Sequence, residues 1–269
     1  MSTAESTVAD PSAFDLSPET AEAGAPDAPD ANAAGKGAAA LCLHGLTGTP
    51  YEVRPVAEAL RARGVRSRAP WMAGHEGGVE ALTRTKHEEW VELARAELRA
   101  LRAEHDRVFL VGMSMGGLVS LRLAQTEKVD AMVVVGAPLV LAPPIPQLLP
   151  LFRLFVSARP KKPGSSDIQE PAARARHPGV EAMPMASVAE LIALQSKVIA
   201  DLGKVEAPIL VAHGRLDRTA RPRDAARIHA EVGSSDKELF YLDRSGHVAT
   251  VDYDGPALAR AAADFLLRR

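Results

Sequence analysis

The sequence predicts an α/β fold: a reduced, mainly parallel sheet of about six strands, flanked by helices. Three observations predict it. From Ala38 onward, short apolar or β-branched runs alternate with amphipathic helical stretches. Residues Val108 to Gly117 read V-F-L-V-G-M-S-M-G-G, an apolar run that stops at a glycine and restarts as a helix. Further on, an acid and a histidine each follow a short strand-like segment, Asp217 after Ile209 to Ala212 and His247 after Glu238 to Leu242. Open α/β sheets gather their ligands beyond the carboxyl ends of such strands.

The elements follow in order. Ala38 to Leu43 is a continuous apolar run of the kind buried on both faces of a sheet. Further strands are expected near 65–70, 107–112, 130–136, 208–213 and 237–242, and the first extends to about 44. Helices are expected near 51–63, 86–104, 114–126, 221–232 and 255–268. In the second of these, arginines and glutamates balance one another, which reads as a solvated charged face. No strand-like segment precedes residue 38, so no early antiparallel strands are expected, and no internal repeat is visible.

Residues 1–37 are rich in Ala, Pro, Asp, Glu, Ser and Thr. They lack the basic and apolar regions of a secretory signal and read as a disordered acidic leader. Residues 38–269 form the folded domain, with 38–137 and 204–269 as its core. The interval 138–203 breaks the rhythm and reads as a cap inserted between strand and acid. It opens with the proline-punctuated apolar run L-V-L-A-P-P-I-P-Q-L-L-P-L-F-R-L-F-V. A helix follows from Ser187, which with Glu190 has capping-box spacing. Its apolar stripe is Val188, Leu191, Ile192, Val198, Ile199 and Leu202. The run Leu148 to Val156 has two readings: cap packing against the core, or an apolar wall that receives an acyl chain or touches a lipid surface. Leu148, Leu151, Phe152, Phe155 and Leu191 are the candidate pocket and cap residues.

Net charge is −2, which argues against nucleic acid or an anionic membrane as partner. Cys42 is the single cysteine, sits in an apolar run, and reads as a small buried hydrophobe. No stretch reaches the roughly 18 apolar residues of a membrane span. A soluble cytoplasmic protein is expected, with no metal or organic cofactor.

The chemistry centres on G-x-S-x-G at Gly112 to Gly116. In a strand–turn–helix context this places Ser114 on a strained backbone at the sheet tip, its oxygen exposed beside the positive end of the next helix. Glycines at 112 and 116 are needed because a Cβ there would strike the neighbouring strand or helix. The rival reading, a phosphate-binding loop, lacks the Lys-Ser/Thr pair. A serine hydroxyl needs a base, and the order serine, acid, histidine is met by Ser114, Asp217 and His247. Asp243 is the rival acid but follows the wrong strand. Asp224, Asp243 and Asp252 read as turn formers, His213 as a strand-end packing residue, and His87, His105, His177 and His229 as surface. Upstream, His44-Gly45-Leu46-Thr47-Gly48 follows the first core strand. Its pattern suggests an oxyanion hole made by the backbone N–H groups of Leu46 and Met115. His44 itself reads as structural, tying the loop down by a ring hydrogen bond.

Together L-H-G-L-T-G-T-P, G-H-E, G-M-S-M-G-G, H-G-R-L-D and S-G-H-V resemble the serine α/β-hydrolases, and within them the bacterial carboxylesterase and monoacylglycerol lipase group. The resemblance runs from about Ala38 to the last residue. It implies an α/β-hydrolase fold and hydrolysis of small lipid-like acyl esters, such as monoacylglycerols, through an acyl-enzyme. Thioesterase, lysophospholipase and acyltransferase activities share the same motifs, and a hydrolase-fold binder without catalysis is the alternative from another class. Two positions depart from the group: Leu46 stands where an aromatic is common, and Glu76 where glycine is frequent.

Overall fold

The computed structural model describes residues 9–18, 36–162 and 164–269. Residues 1–8 and 19–35 of the expected leader lie outside the described residues. In chain order the elements are β1 (Phe14–Leu16), β2 (Ala38–Leu43), α1 (Arg54–Arg61), β3 (Arg66–Ala69), α2 (Gly78–Arg84), α3 (His87–Glu104), β4 (Arg107–Met113), α4 (Met115–Ala124) and β5 (Ala131–Val135). The insertion contributes α5 (Ile145–Phe152), β6 (Ala158–Pro160), α6 (Pro171–Arg176), β7 (Ala182–Pro184) and α7 (Met185–Ala200). The core resumes with β8 (Ile209–Gly214), α8 (Pro222–Glu231), β9 (Lys237–Leu242) and α9 (Gly255–Leu267).

A seven-stranded sheet runs β1-β3-β2-β4-β5-β8-β9. From β3 to β9 every pairing is parallel. Period-2 alternation divides the strands between two cores. Ala39, Leu41 and Leu43 of β2, with Val108 and Leu110 of β4, face α3, α4, α7 and α8. Ala38, Ala40 and Cys42, with Phe109, Val111 and Met113, face α1 and α9. Burial on both faces is why these strands read as unbroken apolar runs. Cys42 is wholly buried, and burial pushes its thiol up to about 12, so it behaves as a hydrophobe.

The expectation that nothing before residue 38 forms a strand is corrected. Phe14–Leu16 pairs antiparallel with β3 at the sheet edge. Asp15 meets Arg66 and Arg68 at 2.9 Å, and Phe14 lies under the Arg54 guanidinium. Three residues carry almost no intrinsic strand signal; the open edge of β3 and its two arginines supply the template.

The insertion divides in two. Its second half, α7, sends Leu191, Leu194 and Val198 into the main core, so Leu191 is a core residue and not part of a surface pocket. The capping box expected at Ser187 and Glu190 does not form. The helix begins two residues earlier, at Met185. Ser187 Oγ instead donates to Leu82 O of α2 at 2.9 Å. Glu190 accepts from the His87 N–H (3.2 Å), His87 Nδ1 (2.7 Å) and Lys86 Nζ (3.0 Å), and so caps α3. A carboxylate at a helix N-terminus satisfies an orphan N–H and the helix dipole together. His87 is thereby buried, not on the surface as expected. The first half stands off the core. In α5 and the turn after it only Leu149 is buried, while Leu148, Leu151, Phe152, Leu154 and Phe155 are exposed. Among the described residues, no helix is long and apolar enough to cross a membrane.

Candidate active site

Ser114 sits between β4 and α4 with φ 54° and ψ −116°, a left-handed conformation that costs a non-glycine residue of order 1–3 kcal/mol. The turn is held by the Ser114 N–H donating to Val135 O at 2.8 Å. It is possible only because flanking positions lack side chains. A Cβ on Gly112 would lie 2.4 Å from Gly116 O, and one on Gly116 would lie 2.0 Å from Leu43 O of β2. Helix and strand thus approach closer than any alanine permits, and the serine is lifted to the carboxyl end of the sheet.

His247 arrives on the loop after β9. Its Nε2 lies 2.9 Å from Ser114 Oγ, and its Nδ1 lies 2.8 Å from Asp217 Oδ2. An ionised carboxylate only accepts, so Nδ1 carries the proton and Nε2 is left to take one from the hydroxyl. Asp217, on the loop after β8, accepts at Oδ1 from the Thr219 N–H (2.8 Å) and the Ala220 N–H (2.7 Å). Asp243, the rival acid, points away and pairs with Arg215 at 2.7 Å on the surface.

The structure adds partners that local reasoning missed. His213, expected as a packing residue, lies with Nε2 2.8 Å from Asp217 Oδ2, the same oxygen that meets His247. The acid is therefore flanked by two imidazoles. Asp167 of the insertion accepts the Arg218 N–H at 2.7 Å, and its backbone oxygen accepts the Val248 N–H at 3.2 Å. Asp252 is more than a turn former: it accepts the N–H groups of Gly246, Gln169 and Glu170, each at 2.8 Å. The base of the cap thus straps the acid loop to the histidine loop. The i,i+4 spacing of His213 and Asp217 and the six-residue step from Gly246 to Asp252 are the local hints; the contacts made by the insertion join residues some fifty to eighty apart in the chain.

Electrostatics follow from these contacts. Burial alone would lift the Asp217 carboxyl, but the charge of His247 and the close His213 imidazole outweigh it and hold the group far below the ordinary range. For His247, burial depresses the imidazole and the Asp217 carboxylate raises it; the carboxylate wins, and the net direction is up. Burial takes His44 below its usual value, so it is neutral. Its Nε2 accepts the Met72 N–H at 3.0 Å while Nδ1 donates to Gly45 O at 2.9 Å, the structural tie expected of it.

Of the two expected oxyanion donors, Met115 directly follows the serine and Leu46 lies one residue beyond Gly45, which approaches it. Met115 is the first residue of α4, so its N–H has no intrahelical acceptor. Leu46 lies in a turn closed by Gly48 N–H donating to Gly45 O at 3.1 Å. A Cβ on Gly45 would lie 3.2 Å from Ser114 Cβ, which brings this loop directly over the nucleophile.

Comparison with known proteins agrees with the geometry. The family Hydrolase_4, described as Serine aminopeptidase, S33, matches residues 36–254. The chain belongs to this α/β-hydrolase family. It is 30% identical over 237 residues to the thermostable monoacylglycerol lipase of Bacillus sp. (strain H-257), covering 85% of this chain and 90% of that one. It is 28% identical over 232 residues to a carboxylesterase of Bacillus subtilis (strain 168), covering 85% and 92%. In fold it resembles a solved structure from work on LipS and LipT, two metagenome-derived lipolytic enzymes, with TM-score 0.85, 23% identity and coverage of 98% and 100%.

Proposed function

We propose that the protein is a carboxylic ester hydrolase for small lipid-like esters such as monoacylglycerols, working through Ser114, His247 and Asp217. The observation that carries the reading is the unbroken line from Ser114 Oγ through His247 to Asp217, with both links under 3 Å, at a strained strand–helix turn. Neutral His247 takes the hydroxyl proton as Ser114 Oγ attacks the ester carbonyl. The oxyanion is met by the N–H groups of Leu46 and Met115, donors already in place before charge develops. His247 then protonates the departing alcohol, and water resolves the acyl-enzyme by the same route. Losing one such donor typically costs about 2.7–4 kcal/mol of barrier.

Two observations favour lipid-like substrates. The named relatives are a monoacylglycerol lipase and a carboxylesterase. The outer face of the cap also carries Leu151, Phe152, Leu154 and Phe155, exposed by 47–80%, an apolar patch suited to a lipid surface or an entering acyl chain. The test compares p-nitrophenyl esters, acyl-CoA thioesters and monoacylglycerols over a chain-length series. Ser114→Ala is expected to abolish turnover and fluorophosphonate labelling together. Unchanged turnover in that variant overturns the mechanism, and a preference for thioesters moves the substrate class.

A further inference from the structure

We propose that Glu52 is a positioning residue for the oxyanion hole, held in place by His177 of the cap. The inference rests on the hydrolase reading above and assigns a role to a buried carboxylate which that mechanism leaves unused.

Glu52 lies in the short helical turn Pro50–Val53 and is 5% exposed. Removing a carboxylate from water costs several kcal/mol unless donors replace the solvent. The replacements come from two directions. The Gly45 N–H donates to Oε2 at 2.8 Å, and His177 Nε2 lies 3.2 Å from Oε1. Behind the imidazole, Ser166 Oγ lies 2.8 Å from His177 Nδ1. Nε2 makes no aligned hydrogen bond, so its contact with the Glu52 carboxylate is electrostatic, while Nδ1 faces the serine hydroxyl. His177, expected on the surface, has a side chain only 6% exposed, because this pairing and the Tyr51 ring enclose it.

The loop is shaped around this carboxylate. A Cβ on Gly48 would fall 2.3 Å from each Glu52 oxygen, so the second glycine of H-G-x-x-G leaves room for Glu52. A Cβ on Gly45 would lie 3.1 Å from Oε2 and 3.2 Å from Ser114 Cβ; only one residue separates Glu52 from the nucleophile. Gly45, having no side chain, would otherwise rotate freely. Its N–H is fixed by Glu52, and its carbonyl by His44 Nδ1 and the Gly48 N–H. In a planar trans peptide the N–H points opposite the C=O. Fixing Gly45 on both sides therefore fixes the direction of the Leu46 N–H, one of the two oxyanion donors. The link to His177 and Ser166 makes this orientation depend on the cap being seated.

The titratable groups facing Glu52 are His177 and Lys161 from the cap, His44 and His75 from loops after β2 and β3, and His247. Burial would raise the Glu52 carboxyl, but His177 and the other donors bring it down to about 2, so it stays ionised. It adds to Asp217, and Asp167 adds less, in raising His247.

The experiment measures kcat and KM on a soluble p-nitrophenyl ester, normalised to active sites titrated to completion with a fluorophosphonate, across pH. Glu52→Ala is expected to lower kcat about 10²-fold, as for loss of one oxyanion donor, with KM little changed. Glu52→Gln keeps an acceptor for the Gly45 N–H but not the charge, and is expected to lose about tenfold. In both, the acid limb of kcat/KM moves to lower pH, because a negative charge near His247 is gone; a purely structural role would leave that limb in place. Folded Glu52 variants with wild-type kcat and an unmoved acid limb overturn the proposal. If neither variant folds, His177→Ala decides: a kcat loss of about tenfold at unchanged KM supports the clamp, and wild-type kcat overturns it. Wild-type turnover is the control. Its absence falls on the hydrolase reading, whereas normal wild-type turnover beside unaltered Glu52 variants falls on Glu52 alone.

Discussion

The candidate site and the outer cap invert the usual placement of residues in opposite directions. Ser114, Asp217 and His247 are polar and only 9%, 8% and 9% exposed, while Leu154 and Phe155 on the cap are apolar and 73% and 80% exposed. The site keeps its three catalytic side chains out of water because each is hydrogen-bonded, Asp217 by two backbone N–H groups and the His247 imidazole, with His213 Nε2 2.8 Å away. The cap leaves apolar surface in water with only Leu149 of α5 tucked beneath it. Each departure costs stability locally. One region is over-determined and the other under-packed.

The comparison breaks most sharply at the site. Ser114→Ala or His247→Ala is expected to lower kcat by about 10⁶, and Asp217→Asn by about 10⁴, measured on a soluble ester at saturating concentration. Comparable losses from cap variants would erase the distinction between the regions. Gly116→Ala comes next. Its Cβ meets backbone 2.0 Å away, so the strand–helix junction must open, and a large drop in melting temperature is expected along with loss of activity.

pH sharpens the picture of the over-determined region. The base must be neutral to act, and the net effect of its surroundings raises His247. The acid limb of kcat/KM is therefore expected above the ordinary imidazole value of about 6.5. Stability carries the opposite sign through Glu52. Its carboxyl is lowered from 4.5 to about 2, so its contribution is full above about 4.5 and is lost as pH falls toward 2. Glu52→Gln should flatten that acid-side fall in melting temperature.

The smallest effect belongs to the cap. Leu151→Asp with Phe155→Asp is expected to leave turnover of a short soluble ester unchanged. On monoacylglycerol presented in micelles or vesicles, the same variant should lose roughly tenfold, about 1.4 kcal/mol, a fraction of the roughly 1.5–3 kcal/mol that each side chain would give if fully buried. Equal loss on both substrates would make the patch part of the packed fold.

Legibility followed range. β2, β4, β5 and β8 are readable because burial on both faces leaves apolar runs, and Ser114 because the elbow needs glycines at fixed local offsets. Asp217 and His247 stood out because each follows a strand by a few residues. Phe14–Leu16 did not, since three residues become a strand only when β3 offers its edge. The spacing of Ser187 and Glu190 suggests a cap on their own helix, whereas Glu190 caps a helix about a hundred residues away in the chain.

The sequence by itself determined the order of the six parallel strands, the glycine-made turn under Ser114, and the apolar character of α5, because all of these are written in spacings of a few residues. Only the tertiary structure decided which polar groups share a buried site. Glu52 with His177, His213 with Asp217, and Asp167 with the acid and histidine loops meet across loops whose meeting points depend on the whole sheet being assembled. Hydrogen bonds act over about 3 Å, and no local pattern records which distant residue will arrive within that distance.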